Sequence, residues 1–518
     1  MPYLFFMHFP FIITYGNKPQ IEKELLRFCL CIFDGGMQKD KIKHFTKSTV
    51  FIFTALLFLC IAILLQSPLA PHAKSCIGND SAIFITIARS ILSGDILYLD
   101  IADHKGPMIF LLDALGLWLG KGNIIGIWIL EVISLFIASV FTYRTALLLT
   151  NNLIAVCATT LSILFITPIL LGGNLTELWT LPFISISLFI FTRYLSHKNS
   201  TLSFFNLFTL SFCFIIALLF KASYIAIWCA FGSIIVIKLI QEHKSRKLMK
   251  YLLCIFISCL ITLLPFLCYF HYHNALQEAF YWMFQFNIQY AHSDTISSTI
   301  GHVLQIILGI RHLPLLVPLC IGMIFLNGHH RENRYLVYGY LCAIVLTAYS
   351  CAIGSRYEHY NIIFAPLLVY FYTYLFNLLQ LQSFKQRLAL LIIVLGSGYI
   401  FIVKQLSSRN YNDYFISQTN TAEIKRVAQI IQEHSEPDDL IMRSNNINRA
   451  IYVYANRKCG NRCLSNAYHY NLWDEIKTKQ PKIIVHNKEQ GGSLQIAAID
   501  SSSYHLIQEY GSYEIWGR

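Results

Sequence analysis

Long apolar segments separated by short polar connections dominate the first four-fifths of the chain. We predict eleven spans, at residues 48–66, 123–142, 152–171, 177–195, 204–220, 223–240, 251–271, 311–327, 335–353, 361–380 and 387–405. An apolar helix of about 20 residues crosses the hydrocarbon core of a bilayer, which is about 30 Å thick. The pattern therefore predicts an all-α polytopic membrane domain.

Three shorter patterns lie in the connections. Residues 82–92 form an amphipathic helical pattern, and residues 107–119 form a more apolar one that begins at Pro107. Proline suits the first turn of a helix. Both segments are too short to span, so we predict helices in the membrane interface. Segment 276–290 is rich in Phe, Tyr and Trp, which favours anchoring at the lipid headgroups over stacking on a sugar.

The composition becomes polar after residue 406. Helical patterns occur at 421–434, 450–455 and 472–479, and strand patterns at 440–443, 482–486, 504–509 and 513–516. They predict a small α/β domain. It contains no nucleotide loop, paired catalytic acids or metal-ligand spacing, which favours an accessory role.

Three regions follow from these patterns. They are a cytoplasmic N-terminal segment (1–47), a transmembrane domain (48–406) and an extracytoplasmic α/β domain (407–518). Residues 1–36 lack the basic region of a signal peptide. We expect them to be dispensable, with Met37 as an alternative start.

Composition and charge agree with a membrane protein. The chain is 55% hydrophobic and 13% charged, against about 25% charged residues in soluble domains. The net charge of +12 concentrates in connections 39–47, 193–198, 243–250, 329–334 and 385–387. Under the positive-inside rule these connections are cytoplasmic. No basic surface interleaved with aromatic residues stands apart from them, which argues against a nucleic-acid partner.

Most of the fifteen cysteines lie inside apolar segments, where they act as small hydrophobic residues. Cys459 and Cys463 lie instead in the polar tail. An extracytoplasmic tail permits a disulfide between them, and the sequence leaves that pairing open. A metal site is less favoured, because no further His or Cys pair at ligand spacing accompanies them.

Four polar blocks fall in the predicted outer loops: Gly78-Asn79-Asp80, residues 97–107 (LYLDIADHKGP), residues 172–177 (GGNLTE) and residues 355–360 (SRYEHY). They resemble the bacterial GT-C glycosyltransferases, the superfamily of protein O-mannosyltransferases and lipid A aminoarabinose transferases. The resemblance extends over residues 48–380 and is specific only in these blocks. It implies the GT-C fold and a polyprenyl-phosphate-linked sugar donor. It also implies inverting transfer to a lipid, glycan or protein hydroxyl on the periplasmic side of a bacterial inner membrane.

The resemblance assigns the role of general base to Asp80. A hydroxyl needs a positioned carboxylate to accept its proton. The alternative is a helix N-cap. Glu177 corresponds to the second acidic position of the family, and the alternative is an ordinary interface residue. Asn174, with the glycines before it, permits the close backbone approach that a site wall requires.

Lys105 corresponds to the lysine that contacts the lipid phosphate, where an ammonium offsets the charge of the leaving group. The alternative is a lysine that extends to lipid headgroups. Asp103 and His104 either orient Lys105 or cap the following helix.

Arg356, Tyr357 and His359 bind phosphate or sugar under this interpretation, and aromatic–basic anchoring is the alternative. Lys221, at the outer end of the fifth span, is a further candidate for binding phosphate. For Glu131, inside the second span, we favour a structural role as a protonated or paired acid.

One departure leaves the sugar open. Aminoarabinose transferases have an arginine three residues after the first aspartate, where this chain has Ile83. The family does not fix metal use, so Mg²⁺ or Mn²⁺ stays open. A flippase of lipid-linked sugars is the alternative class, although we find no internal repeats with broken helices. A polysaccharide polymerase of the outer face is the closer alternative.

Overall fold

The computed structural model describes residues 47–170, 172–197, 200–291, 296–307, 334–353, 357–378, 383–385, 388, 418–465, 472–490 and 503–518. The α-helices of the apolar part are α1 (Lys47–Leu64), α2 (Asn79–Leu92), α3 (Pro107–Leu119), α4 (Ile125–Leu147), α5 (Asn152–Leu164), α6 (Thr176–Ser196), α7 (Phe204–Phe220), α8 (Ala226–Gln241), α9 (Ser245–Tyr272), α10 (Leu276–Phe280), α11 (Phe286–Ala291), α12 (Ile296–Ile307), α13 (Arg334–Ala352) and α14 (Ala365–Leu378). 3₁₀ turns Thr167–Ile169, Ala222–Ile225 and Glu358–Phe364 adjoin these helices, and a π-turn, Tyr281–Gln285, joins α10 to α11.

Helices lie over nine of the eleven predicted spans. Span 311–327, span 387–405 apart from residue 388, and the N-terminal segment to residue 46 fall outside the described residues. Six described helices are long and apolar enough to cross a membrane: Ile125–Leu147, Asn152–Ile169, Thr176–Ser196, Ala222–Gln241, Ser245–Tyr272 and Arg334–Ala352. The predicted polytopic helical fold is confirmed.

Helices α2 and α3 occupy the two short patterns of the first outer loop. The N-cap of α3 is Gly106, and Pro107 occupies the first turn as predicted. The amphipathic pattern of α2 predicts a helix with one face in solvent. The structure differs, because residues 81–88 are all buried. Its Arg89 donates to the carbonyl of Val453, in the C-terminal part of the chain, at 2.8 Å. That part therefore covers the face of α2 that sequence periodicity assigns to solvent.

The C-terminal part is the predicted α/β unit. It contains α15 (Gln418–Glu433), β1 (Leu440–Arg443), α16 (Ala450–Ala455), β2 (Lys458–Cys459), α17 (Leu472–Lys479), β3 (Ile483–Asn487), β4 (His505–Tyr510) and β5 (Tyr513–Gly517). The sheet order is β2-β1-β3-β5-β4. Strand β1 is parallel to β2 and β3, and β5 is antiparallel to β3 and β4. Buried Met442, Ile476, Ile484 and Trp516 form its core.

Cys459 and Cys463 are both free cysteines in the structure. The Cys459 thiol donates to the carbonyl oxygen of Asn461 at 3.6 Å. Burial raises the pKa of each thiol to about 12. The disulfide that the sequence permitted is therefore absent.

A close contact at Gly106 sets the position of the loop that precedes α3. The Gly106 N–H donates to the carbonyl of Phe220, at the end of α7, at 3.0 Å. A Cβ at this position would lie 1.9 Å from the carbonyl oxygen of Leu219. Its φ of −70° is ordinary, so glycine is required here by space and not by backbone conformation.

We predict that Gly106→Ala destabilises the protein by about 1–3 kcal/mol, the usual range for forcing an extra methyl into a packed site. Gly232→Ala is the matched control, because a Cβ there meets no atom within 4 Å. Inside α8 that change is expected to be neutral or stabilising, by up to about 1 kcal/mol. Thermal unfolding of both purified variants in detergent tests this. Equal midpoints would show that the contact at Gly106 is loose.

Candidate active site

The predicted site residues lie at the ends of five elements. Asp80 is in the first turn of α2, Lys105 precedes α3, Glu177 is in the first turn of α6, Lys221 follows α7, and His359 is in the 3₁₀ turn before α14. The charges of the other four act on His359. The structure therefore brings together side chains that are up to 279 residues apart in sequence.

Asp80 is exposed and does not cap its helix. The N-cap of α2 is Gly78, and no side chain caps it. The N-cap alternative for Asp80 is therefore wrong, because the helix begins one residue before it. The Asn79 side chain accepts a hydrogen bond from the backbone N–H of Arg449 at 3.1 Å. This contact fixes the start of α2 and leaves the carboxylate of Asp80 open to solvent.

Asp103, His104 and Lys105 form a hydrogen-bonded chain. Lys105 is 9% exposed, and its Nζ lies 2.7 Å from His104 Nε2. An ammonium can only donate, so Nε2 accepts and the ring proton lies on Nδ1, 3.5 Å from Asp103 Oδ1. Asp103 Oδ1 also accepts from the backbone N–H of Lys105 at 3.0 Å. The geometry matches the orienting role and not the capping role, and it holds the ammonium inside the protein.

Glu177 is buried and hydrogen-bonded on both oxygens. Tyr224 donates its hydroxyl to Oε1 at 2.5 Å, and the Thr176 hydroxyl donates to Oε2 at 3.2 Å. Lys221, three residues before Tyr224, has its Nζ 3.6 Å from the centre of the Tyr360 ring. Glu177 is thus an internal anion beside a lysine, which contradicts the alternative of an exposed interface residue.

Burial is the main cause that lowers the pKa of His359, and Lys221 and Lys105 lower it further. The carboxylates of Glu177 and Asp80 oppose this shift. Burial likewise lowers the pKa of His104 well below its usual range, with Lys105 and Lys221 adding to the effect and Asp80 opposing it. Both imidazoles are therefore neutral near pH 7 and can accept hydrogen bonds.

Of the other two candidates in the block at residues 355–360, the structure describes Tyr357 but not Arg356. The Tyr357 ring stacks on His359 with a centroid distance of 5.4 Å and an interplanar angle of 12°. Tyr357 is 51% exposed, so one aromatic face is open toward solvent or lipid. Arg356 lies outside the described residues.

Asn174 links three helices below the site. Its backbone N–H donates to Glu131 Oε1 at 2.7 Å, and its Nδ2 donates to Asp113 Oδ2 at 2.6 Å. Its Oδ1 accepts from Trp179 Nε1 at 2.8 Å. All four residues are buried. Glu131 thus has the structural role that the sequence favoured, with a backbone N–H as its partner.

The backbone before α6 is left-handed at three consecutive residues. The φ angles are +74° at Gly172, +69° at Gly173 and +49° at Asn174. Glycine adopts this region freely, and asparagine is among the residues that tolerate it. The turn carries the chain into α6 and sets the position of Glu177.

Sequence reasoning missed four residues of this region: Tyr224, Asp113, Asn287 and Arg449. Asn287 donates to the carbonyl of His104 at 2.8 Å. Asp113 did carry a signal, because an acid inside an apolar helix is rare and needs a partner. No local pattern identifies the other three, since each acts on a residue far away in sequence.

The described residues do not fit a divalent cation at Glu177. Both of its oxygens accept hydrogen bonds from hydroxyl groups, and Lys221 lies beside it. Within the described ranges no three His, Cys, Asp or Glu side chains converge on a point that could hold a metal ion.

Comparison with solved structures identifies the fold. No family model and no curated protein sequence matches the chain. ArnT from Cupriavidus metallidurans bound to undecaprenyl phosphate is similar over 91% of this chain and 98% of its own, with a TM-score of 0.59 and 11% identity. An Archaeoglobus fulgidus oligosaccharyltransferase in complex with Zn and sulfate is similar over 85% of this chain and 68% of its own, at 0.55 and 12%.

A second structure of the archaeal enzyme, AglB with an inhibitory peptide and a dolichol-phosphate, gives a TM-score of 0.53 at 11% identity over 86% of this chain and 70% of its own. The chain therefore has the GT-C fold that the sequence blocks implied.

We predict that Asn174→Ala lowers stability by about 3–7 kcal/mol. It leaves two buried groups without partners, at about 1–3 kcal/mol each, and places alanine in a left-handed conformation that costs about 1 kcal/mol. Asn174→Gly loses the same hydrogen bonds without that conformational cost. Thermal unfolding is expected to rank wild type above Gly and Gly above Ala. Indistinguishable midpoints would contradict a role for this network.

We predict a stability loss on acidification that depends on His104. Its pKa in the folded protein lies below the unfolded value of about 6.5, so the unfolded state binds the proton first. The stabilisation is complete above pH 6.5 and falls as pH drops from there toward the folded pKa, by up to about 1.4 kcal/mol per unit. His104→Gln keeps an acceptor but does not titrate. Thermal unfolding between pH 7.5 and 5.5 is expected to fall less steeply in this variant, and identical slopes would exclude His104.

Proposed function

We propose that this chain, which has the GT-C fold, is an inverting glycosyltransferase of the bacterial inner membrane. It moves a sugar from a polyprenyl-phosphate carrier to a hydroxyl of a lipid, glycan or protein on the periplasmic side. One observation carries the proposal. Asp80, Glu177, Lys105 and Lys221 all lie near enough to His359 for their charges to act on it. The similar structures with undecaprenyl phosphate and dolichol-phosphate support a lipid-phosphate donor.

Asp80 is the general base of the proposed reaction. The acceptor oxygen attacks the anomeric carbon, its proton passes to the Asp80 carboxylate, and the bond from that carbon to the phosphate oxygen breaks. A single displacement inverts the configuration at the anomeric carbon. Asp80 suits this role because it is exposed and because its carboxylate is not used to cap α2. A positioned base contributes about 10²–10⁴-fold to the rate.

Lys105 and Lys221 stabilise the departing polyprenyl phosphate. Negative charge grows on the bridging oxygen as its bond to the sugar breaks, and fixed cations near it lower the barrier. Neutral His104 holds the Lys105 ammonium in one orientation through the 2.7 Å contact. The Tyr360 ring packs against Lys221. The two ammonium groups are therefore positioned before the donor binds.

Glu177 is a poorer candidate for the base than Asp80, because both of its oxygens are already engaged by Tyr224 and Thr176. We assign it the role of balancing the lysines and orienting Tyr224. His359, with Tyr357 stacked on it, forms a wall for the sugar or phosphate. Arg356 remains a proposed phosphate ligand on the basis of its motif. No step of this proposal uses a metal ion.

We predict that Asp80→Asn abolishes transfer, by at least about 10²-fold, while the protein folds and inserts normally. Mass spectrometry of glycolipids and glycoproteins from a deletion strain identifies the missing sugar. Wild type and Glu433→Gln, an exposed change on α15, are expected to restore that mass, and Asp80→Asn is not.

Wild-type transfer by Asp80→Asn would refute the assignment of the base. Reconstituted vesicles test the reaction class. Movement of carrier across the bilayer without a new glycosidic bond would replace the glycosyltransferase by a flippase, and a ladder of chain lengths would indicate a polymerase.

A further inference from the structure

A second cationic region lies at the opposite ends of the helices from Asp80 and Lys105. Helix α6 carries Glu177 in its first turn and Tyr194 in its last turn, about 26 Å apart at 1.5 Å per residue. Lys238, near the end of α8, and Lys247, in the first turn of α9, lie over the Tyr194 ring at 4.8 and 6.0 Å. These residues take no part in the proposed reaction.

Lys238 is a largely buried lysine whose ammonium group makes no hydrogen bond or ion pair with the described residues. It is 6% exposed, and its Nζ also lies 5.8 Å from the centre of the Tyr335 ring. Within the described part of the chain, this ammonium has aromatic faces as neighbours but no hydrogen-bond or ion-pair partner. An ammonium has three N–H donors, and buried polar groups are almost always hydrogen-bonded. The donors of this ammonium are therefore available to an anionic acceptor from outside the chain.

Lys247 extends the same region. Its Nζ lies 5.5 Å from the Tyr251 ring and makes one long contact, 3.5 Å, with the carbonyl oxygen of Ser200. The neighbouring acid, Glu242, acts on Lys238 through its charge, but its carboxylate is bound to Lys244 at 2.7 Å. Lys238 and Lys247 therefore place two positive charges over the same aromatic ring, that of Tyr194.

The surroundings identify the kind of anion. Ile237 and Ile240, which flank Lys238, are exposed, and so are Leu252 and Leu253 beside Tyr251. Apolar side chains exposed on membrane helices face lipid chains. An anion that places a charged group at the lysines and a hydrocarbon chain along these side chains fits both features. Basic pockets between helix ends are typical sites for anionic headgroups.

We propose that Lys238, Lys247 and Tyr194 form a binding site for the phosphate of an anionic phospholipid. The phosphate oxygens accept hydrogen bonds from the two ammonium groups, and the acyl chains lie along the exposed faces of α8 and α9. The site is separate from the proposed donor site and does not depend on the proposed reaction. The ligand is a structural lipid that ties the ends of α6, α8 and α9 together.

Titration of the purified full-length protein in neutral detergent tests the site, with phosphatidylglycerol, phosphatidylcholine and sodium phosphate as separate probes. Native mass spectrometry reports retained lipid, and thermal unfolding reports stabilisation. Phosphatidylglycerol is expected to bind and to raise the midpoint in wild type, and the other two probes are not. Lys238→Gln and Lys247→Gln are each expected to weaken binding about fivefold, whereas Lys238→Arg retains it.

Lys244→Gln is the matched control, because it removes an exposed lysine of the same region that is paired with Glu242. It is expected to bind phosphatidylglycerol like wild type. If Lys238→Gln does not fold, the partly exposed Lys247→Gln carries the test alone. Wild-type affinity in both variants, or equal binding of phosphatidylcholine, would overturn the proposal. An equal effect of sodium phosphate would show a free-anion site and overturn the lipid assignment.

Discussion

Charge balance in a region of low dielectric constant is the constraint on which the candidate site depends. Glu177 and Lys105 are both buried, and burying an isolated ion costs far more than a folded protein can supply. Asp80 and Glu177 bring two negative charges, and Lys105 and Lys221 bring two positive charges. The two histidines add none, because burial lowers their pKa values. These four charges cancel one another, and a donor phosphate adds the charge that the reaction then moves.

Such a charge balance holds only if the helices and turns that carry the charges keep their distances from one another. Close backbone contacts and buried hydrogen bonds fix those distances. Gly106 lets the Lys105 loop touch the end of α7, which places Lys105 near Lys221. Asn174 ties α3 and α4 to the turn before Glu177. The C-terminal part fixes the start of α2 through Arg449 and Asn79. The C-terminal part thus holds the start of the helix that carries Asp80.

The sequence predicted most of the helices and strands, which depend on neighbouring residues, and few of the contacts between residues far apart in the chain. Helix α7 and strand β1 begin and end where the patterns predicted, since apolar periodicity and strand composition are properties of neighbouring residues. The sequence could not decide whether Asp80 is the N-cap of its helix, because a shift of one residue in the start of the helix makes it the N-cap or removes it from that position. The partnership of Asp113 with Asn174 spans 61 residues, and the cover over α2 comes from residues more than 360 positions away. Only the fold brings such pairs together.

Helix α9 has a consequence for the geometry of the whole assembly in a bilayer. Its 28 residues span about 42 Å at 1.5 Å per residue, which exceeds the hydrocarbon thickness of about 30 Å. The helix must therefore tilt steeply or project by about 12 Å beyond the hydrocarbon. Tyr251 and the basic residues near its start favour a fixed depth at that end, so the excess length falls at the other. At that other end the chain continues into α10 and α11, and Asn287 of α11 donates to the carbonyl of His104, in the loop that carries Lys105.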